Sequence, residues 1–202
     1  MIVKVVCGTW VRGRRLGLSD GFWHSGTKYL QQTDHHMVGD EFVPNPIVSV
    51  IHETTLPASP ADVWPWIVQV GSGRAGWYSW DWIDNLGRKS ATRILPEYQH
   101  LACGDIVPGY PGATHMFVVR AVEPSRHLVL GVPSKTSSDV ATWSLSLEDR
   151  NHGVSILRAC LRMGPVRLAG LPLPSWLIAW PLRLGHHIMQ TKQFSELKKR
   201  CR

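Results

Sequence analysis

In this sequence of 202 residues the candidate side chains for moving a proton are Tyr78, Asp81, Glu97 and His187. A carboxyl group in apolar surroundings has its pKa raised and becomes useful as a general acid or base near neutrality. Asp81 and Glu97 are the carboxylates placed for that role. They belong to a group (Asp81, Asp84, Glu97, Asp105) that runs beside Arg74, Arg88 and Arg93, where turn capping and arginine pairing are the structural alternative. Tyr78 adds a hydroxyl, and His187 adds an imidazole on what reads as the apolar face of the last helix. Trp77, Tyr78, Trp80 and Trp82 fall within six residues. With Trp66, Phe117, Trp143 and Trp180 they are the candidate rings for stacking on a flat apolar ligand, core packing being the other use of such rings.

Other chemistries find less support. Gly71-Ser72-Gly73-Arg74-Ala75-Gly76 satisfies G-x-G-x-x-G, but a dinucleotide site needs a strand before it and a helix after it. Here a helical pattern precedes and an aromatic run follows, so a tight turn is expected. Among ten histidines, His35-His36 and His186-His187 are adjacent pairs, whose side chains would point about 100° apart on a helix. There is no H-E-x-x-H, and Glu97 with His100 is an isolated pair, so no metal site is expected. No G-x-S-x-G occurs, and Cys7, Cys103, Cys160 and Cys201 lack C-x-x-C spacing. Free thiols, no cofactor and a cytoplasmic location are the expectation.

The elements that must position these groups can be read from periodicity. Residues 1–46, punctuated by glycines and closing on Pro44-Asn45-Pro46, are expected to be a loosely structured lead-in to one domain over 47–202. Ile47–Leu56 is β-branched and alternating, which predicts a strand. Ser59 then caps a helix over 60–70, with Val63, Trp66, Ile67 and Val70 at helical spacing. A second short helix is predicted over Trp80–Leu86. Strands separated by turn residues follow at 105–107, 115–123, 127–132, 140–148 and 153–163, and a long helix runs from Trp176 past Pro181. A long helix across a curved antiparallel sheet closes an apolar pocket.

The formal charge is +7, and residues 150–202 carry ten basic residues against the single acid Glu196. The aromatic region is not basic, so nucleic acid is not an expected partner. No apolar run reaches the ~20 residues of a membrane span. The basic C-terminal region (Lys192, Lys198, Lys199, Arg200, Arg202), helped by Trp176 and Trp180, leaves open a peripheral contact with anionic lipid.

The order of elements and the residues within it resemble the START/Bet v 1-like (SRPBCC) superfamily, in particular its bacterial polyketide cyclase/dehydrase-like branch. The resemblance is carried by Val63–Gly71, by Gly73–Asn85, by Ser90-Ala91, Pro96-Glu97, Gln99 and Gly104-Asp105, and by His187-Ile188-Met189 with Lys192-Gln193. It implies an α+β helix-grip fold: a curved antiparallel sheet wrapped around a long C-terminal helix, with two short helices and a hydrophobic cavity. It also implies a hydrophobic small-molecule partner that is polyketide-, terpenoid- or lipid-like. Three uses of such a cavity stay open. One is cofactor-independent cyclisation, dehydration or isomerisation by acid/base chemistry; another is non-catalytic carriage or sensing of a ligand; the third is an interaction module. Oligomeric state is not readable.

Overall fold

A computed structural model describes residues 27–30, 36–113, 116–134, 138–168 and 171–202. Its element order is β1 (Thr27–Leu30), β2 (Val48–Leu56), α1 (Pro60–Val68), α2 (Asp81–Asp84), β3 (Ile106–Val107), β4 (Phe117–Glu123), β5 (His127–Val132), β6 (Ala141–Asp149) and β7 (Ser155–Met163). Two-residue strands β8 (Arg167–Leu168) and β9 (Leu171–Pro172) pair with each other before α3 (Ser175–Arg200). The first seven strands form one antiparallel sheet in the order β1-β2-β7-β6-β5-β4-β3. This is the helix-grip arrangement that the resemblance implies.

Local chemistry explains the elements. Ser59 Oγ accepts the Asp62 amide at 3.3 Å and Pro60 takes the first helical position, so α1 starts where the cap and the missing N–H cost least. Alternation puts His52, Leu157, Ala159, Leu145 and Trp143 on the concave face, and Ile51, Cys160 and Arg162 on the other. The register shifts between Val119 and Ala121, and a bulge of this kind bends a strand and increases its twist.

The principal core lies between the concave face, α1 and the second half of α3. Leu56, Val63, Ile67, Leu128, Leu130, Leu157, Phe194 and Leu197 are all buried there. Gln190 and Gln193 are buried beside them, Gln190 Nε2 donating to Gln193 Oε1 at 2.7 Å and Gln193 Nε2 to the Trp77 carbonyl at 2.9 Å. The first half of α3 stands away from this core.

Two expectations change. Part of the lead-in is built into the sheet: Thr27–Leu30 pairs with β2, Met37 and Val43 are buried, and Arg162 bonds the Val43 carbonyl while pairing with Asp40. Residues 1–26 and 31–35, with Cys7 among them, lie outside the described residues. The carboxylates of the 81–105 stretch cap turns but form no salt bridge with Arg74, Arg88 or Arg93 among the described residues. Asp105 accepts the Ala102 amide, and Arg74 donates instead to the carbonyls of Val68, Val70 and Tyr98. Main-chain carbonyls outcompete the acids because the loop wraps its backbone around the guanidinium.

The glycine run is a turn. Gly71 and Gly76 exchange backbone hydrogen bonds of 3.1 and 3.0 Å, with Gly71, Gly73 and Gly76 all at positive φ. A Cβ at Gly76 would lie 2.4 Å from Ser90 Oγ and 3.0 Å from its Cα, so this close approach needs glycine.

Candidate functional site

Where the first half of α3 leaves the sheet, a cavity of about 610 Å³ opens. From the sheet side it is walled by Trp77, Met116, Phe117, Ala141, Trp143 and Leu161, and from α3 by Leu177, Ile178, Pro181, Leu182, Gly185, His186 and Met189. Asp84 enters from α2. Thr142 meets the cavity too, but it alternates with Trp143, so its side chain stands on the opposite face of the sheet.

The aromatic wall is built ring on ring. Trp77 and Trp143 sit 5.4 Å apart between ring centroids, and Trp77 packs edge-on to Phe117 at 5.7 Å. Trp77 Nε1 donates to the Gly109 carbonyl at 2.9 Å, which fixes its ring; Trp143 Nε1 has no hydrogen-bond partner among the described residues.

Among the cavity's side chains two are ionisable, Asp84 and His186. Burial, reinforced by the neighbouring Asp81 carboxylate, pushes the Asp84 pKa up to about 6. The Ser79 hydroxyl and the Trp80 backbone draw it partly back, although neither Asp84 oxygen meets a donor in good hydrogen-bond geometry. His186 is 6% exposed and neither ring nitrogen has a hydrogen-bond partner among the described residues. Burial, with His52 and His187 adding, lowers its pKa to about 3, so its imidazole is neutral. His52 of β2 lies behind it, ring centroids 5.2 Å apart, and its Nε2 is 3.1 Å from His187 Nδ1. His52 is itself lowered to about 4, by burial and then by His187.

The residues singled out in the sequence are distributed differently. Of the eight candidate rings, Trp77, Phe117 and Trp143 line the cavity. Trp66 and Tyr78 pack against each other in the core at 6.1 Å. Trp80 lies under Lys192 Nζ at 5.4 Å, and Trp82 and Trp180 are each 71% exposed.

None of the four proton-transfer candidates lines the cavity. Tyr78 is buried and accepts a 2.6 Å hydrogen bond from Gln69 Nε2. The Arg200 guanidinium covers its ring, and burial raises its pKa to about 12. Gln69 also accepts from the Leu95 amide and Gln99 Nε2, so Tyr78 is part of a network tying α1 to the following loop. Asp81 accepts both the amide and the hydroxyl of Ser90. Glu97 is exposed on a 3-10 turn, and His187 is exposed on α3 beside its partner His52.

Asp84 and His186 are therefore the groups that sequence reasoning passed over. The apolar stripe of early α3 (Trp176, Leu177, Trp180, Leu184, Ile188) is largely exposed, Leu177 at its edge reaching the cavity, whereas Ile178, Leu182, His186 and Met189 face in. A stripe read as the buried face selects His187, and the true inner face selects its neighbour. The one usable signal was the adjacent His186-His187 pair, since side chains about 100° apart on a helix can put one of the two inside while the other faces out.

The chain matches no protein-family model and no curated protein. Among solved structures it is similar to protein MLL2253 from Mesorhizobium loti, with 16% identity and a TM-score of 0.45 over 75% of this chain and 95% of that one. It is also similar to the Polyketide_cyc-like protein Cgl2372 from Corynebacterium glutamicum (14%, TM-score 0.35, 78% and 82%). A third likeness is to Ara h 8.0201 (15%, TM-score 0.33, 74% and 97%). At that level each is a likeness of outline.

Proposed function

We propose that this protein binds a hydrophobic small molecule, polyketide-, terpenoid- or lipid-like, in the cavity between α3, α2 and the concave face of the sheet. The observation that carries the reading is the cavity itself: about 610 Å³, lined almost wholly by apolar atoms, with the tilted rings of Trp77 and Trp143 as its aromatic wall. Ligand sites of ~300–1,000 Å³ with a few placed polar groups hold small molecules of this kind. Native mass spectrometry of the purified chain tests it. One hydrophobic molecule per chain is expected, either co-purified or taken up from a panel of fused-ring and fatty-acyl compounds. A chain that stays at its sequence mass throughout overturns the reading.

A second reading, delivery of that ligand at a membrane surface, is favoured by one observation. Trp176 and Trp180, both 71% exposed, stand on the outer face of α3 with Leu184 and Ile188, while Trp82, Ile83 and Leu86 project from around α2. Tryptophans with aliphatic neighbours suit the interface of a bilayer. The basic C-terminus contributes less than its charge suggests, since Lys192, Lys199 and Arg200 all pair with Glu196. No helix among the described residues is long and apolar enough to cross a membrane. Sedimentation with phosphatidylglycerol-containing vesicles is expected to carry the protein down and to fail for Trp176→Ser/Trp180→Ser; equal sedimentation of both proteins removes this reading.

A further inference from the structure

The two halves of α3 are held unequally. From Met189 onward the helix is tied down. Ser79 Oγ donates to the Met189 carbonyl at 3.3 Å, Gln193 Nε2 to the Trp77 carbonyl and Arg200 Nε to the Ala91 carbonyl. Phe194 and Leu197 are buried beneath it. Before Met189 the helix spans the cavity, and Ile178 and Leu182 line that space instead of packing on the sheet. Among the described residues one polar link joins this half to the sheet. His52 Nε2 of β2 lies 3.1 Å from His187 Nδ1, with the His186 ring 5.2 Å from the His52 ring between centroids. Two residues also loosen the helix here. Pro181 lacks the N–H that an interior helical residue gives to the carbonyl four residues back, that of Leu177. Gly185 follows one turn later, and a Cβ added there would meet no atom within 4 Å. No close approach and no positive φ calls for glycine at this position, yet it weakens a helix interior relative to alanine.

We propose that the first half of α3 is a lid hinged at Pro181 and Gly185, and that the His52–His186–His187 cluster is its latch, released by acid to open the cavity. The proposal rests on the reading of the cavity as a small-molecule site for what passes the lid, and on the helix alone for the motion. Three imidazoles set the sign. At neutrality one of His52 and His187 donates its N–H and the other accepts. A first added proton is tolerated, because a charged ring on the exposed His187 still donates to a neutral His52. A second is not. Two charged rings would meet N–H against N–H, and His186 is closed in with no hydrogen-bond partner among the described residues for a further N–H.

Burial and the neighbouring imidazoles hold His52 at about 4 and His186 at about 3 while the lid is closed. Lifting the helix uncovers both rings and returns them toward the ordinary 6.5. The open form therefore binds protons that the closed form refuses, and falling pH favours opening. The groups around the latch do not reverse this. Arg183 lies one turn before His187 on α3, Asp84 of α2 shares the cavity wall with His186, and the register partners of His52 are Tyr29 of β1 and Ala159 of β7. What acts on the charges of His52 and His186 is the other histidines, each disfavouring a second charge. At full strength the two rings raise the open-to-closed ratio about 10²-fold between pH 7.5 and 5.5.

Amide hydrogen exchange on the full chain, read by mass spectrometry, tests the motion, and release of the neutral dye N-phenyl-1-naphthylamine tests the gating. After correction for the intrinsic pH dependence of exchange, peptides over 176–188 are expected to lose about 10²-fold in protection between pH 7.5 and 5.5. Peptides over 190–200 are expected to stay at least about tenfold better protected at both pH values, because they open only with the whole domain. Dye dissociation after a stopped-flow drop in pH is expected to accelerate by about the same 10²-fold. His186→Leu removes one of the two buried rings, so the pH effect should fall to about tenfold. Gly185→Ala leaves the latch intact and should slow opening about fivefold at either pH. Equal protection of 176–188 at the two pH values overturns the proposal. So does an undiminished pH effect in His186→Leu, or opening that is no slower in Gly185→Ala. If the dye binds but leaves equally fast at both pH values, the proposal falls while the cavity reading stands. If no dye binds, the cavity reading falls, and loss of protection over 176–188 on acidification still upholds the latch.

Discussion

Acidification from pH 7.5 to 4.5 is expected to strip the fold of several kcal/mol, and two buried histidines set the size. His52 and His186 have folded pKa values lowered to about 4 and about 3 from 6.5. The unfolded chain therefore binds protons that the folded chain refuses. The stabilisation is whole above pH 6.5 and is lost progressively as pH falls toward 4 and 3. At pH 4.5 each histidine has forfeited about 2.5 kcal/mol at full strength, or roughly 5 kcal/mol together as an upper bound. Asp84 works the other way. Its folded pKa of about 6 lies above the usual carboxyl value, so it destabilises the fold at neutrality and relaxes as it protonates below 6. Solvent screening of this half-buried group limits the return to about 1 kcal/mol over the same range. The net expectation is a loss of about 3–4 kcal/mol, a large part of a small domain's stability. Urea unfolding followed by tryptophan fluorescence at half-unit pH steps measures it. His186→Phe should cut the slope between pH 6.5 and 4.5 by roughly half. Equal stability at pH 7.5 and 4.5, or an unchanged slope in His186→Phe, would refute the reasoning.

Further outcomes follow from the same geometry. Asp84→Asn should raise stability at pH 8 by about 1–2 kcal/mol, since it removes a charge held in an apolar wall, and chemical denaturation checks this. Tyr78→Phe should cost about 1–2 kcal/mol through loss of the 2.6 Å bond from Gln69, with ligand affinity unchanged, as thermal melts and titrations would show. Gly76→Ala should destabilise by about 1–3 kcal/mol, because its φ of 80° and the approach of Ser90 leave no room for a Cβ; a lower melting temperature is the readout.

Much of the scaffold was legible because burial imposes a period. The strand ending at Leu56, the Ser59 cap and the meander from Phe117 to Met163 each obey one local rule, and the structure places them within a few residues of expectation. Early α3 breaks that logic. Its apolar stripe, Trp176 to Ile188, faces outward, so periodicity points to a real helix face but to the wrong side of it. Polar groups at the core misled in the same way. Gln69 and Gln193 are almost wholly buried because each finds partners elsewhere in the chain, Gln190 being held by Gln193 beside it, and no pattern in the sequence announces a partner 116 residues away. Asp84 differs from Asp81 in its surroundings: Asp81 bonds Ser90, whereas Asp84 is part of the cavity wall. Three positions along a four-residue helix is too fine a distinction for spacing alone.

The central claim is that the space behind α3 holds a hydrophobic molecule, and filling that space tests it most directly. Ala141 lines the cavity from β6, and Ala141→Phe would set a phenyl ring into it from a strand that is otherwise well paired. Fluorescence titration with a fused-ring ligand should show saturable one-to-one binding to the unaltered protein. In the variant that binding should weaken at least about tenfold, the far-ultraviolet circular dichroism staying the same. Binding of equal strength in both proteins, or no saturable binding in either, would contradict the account.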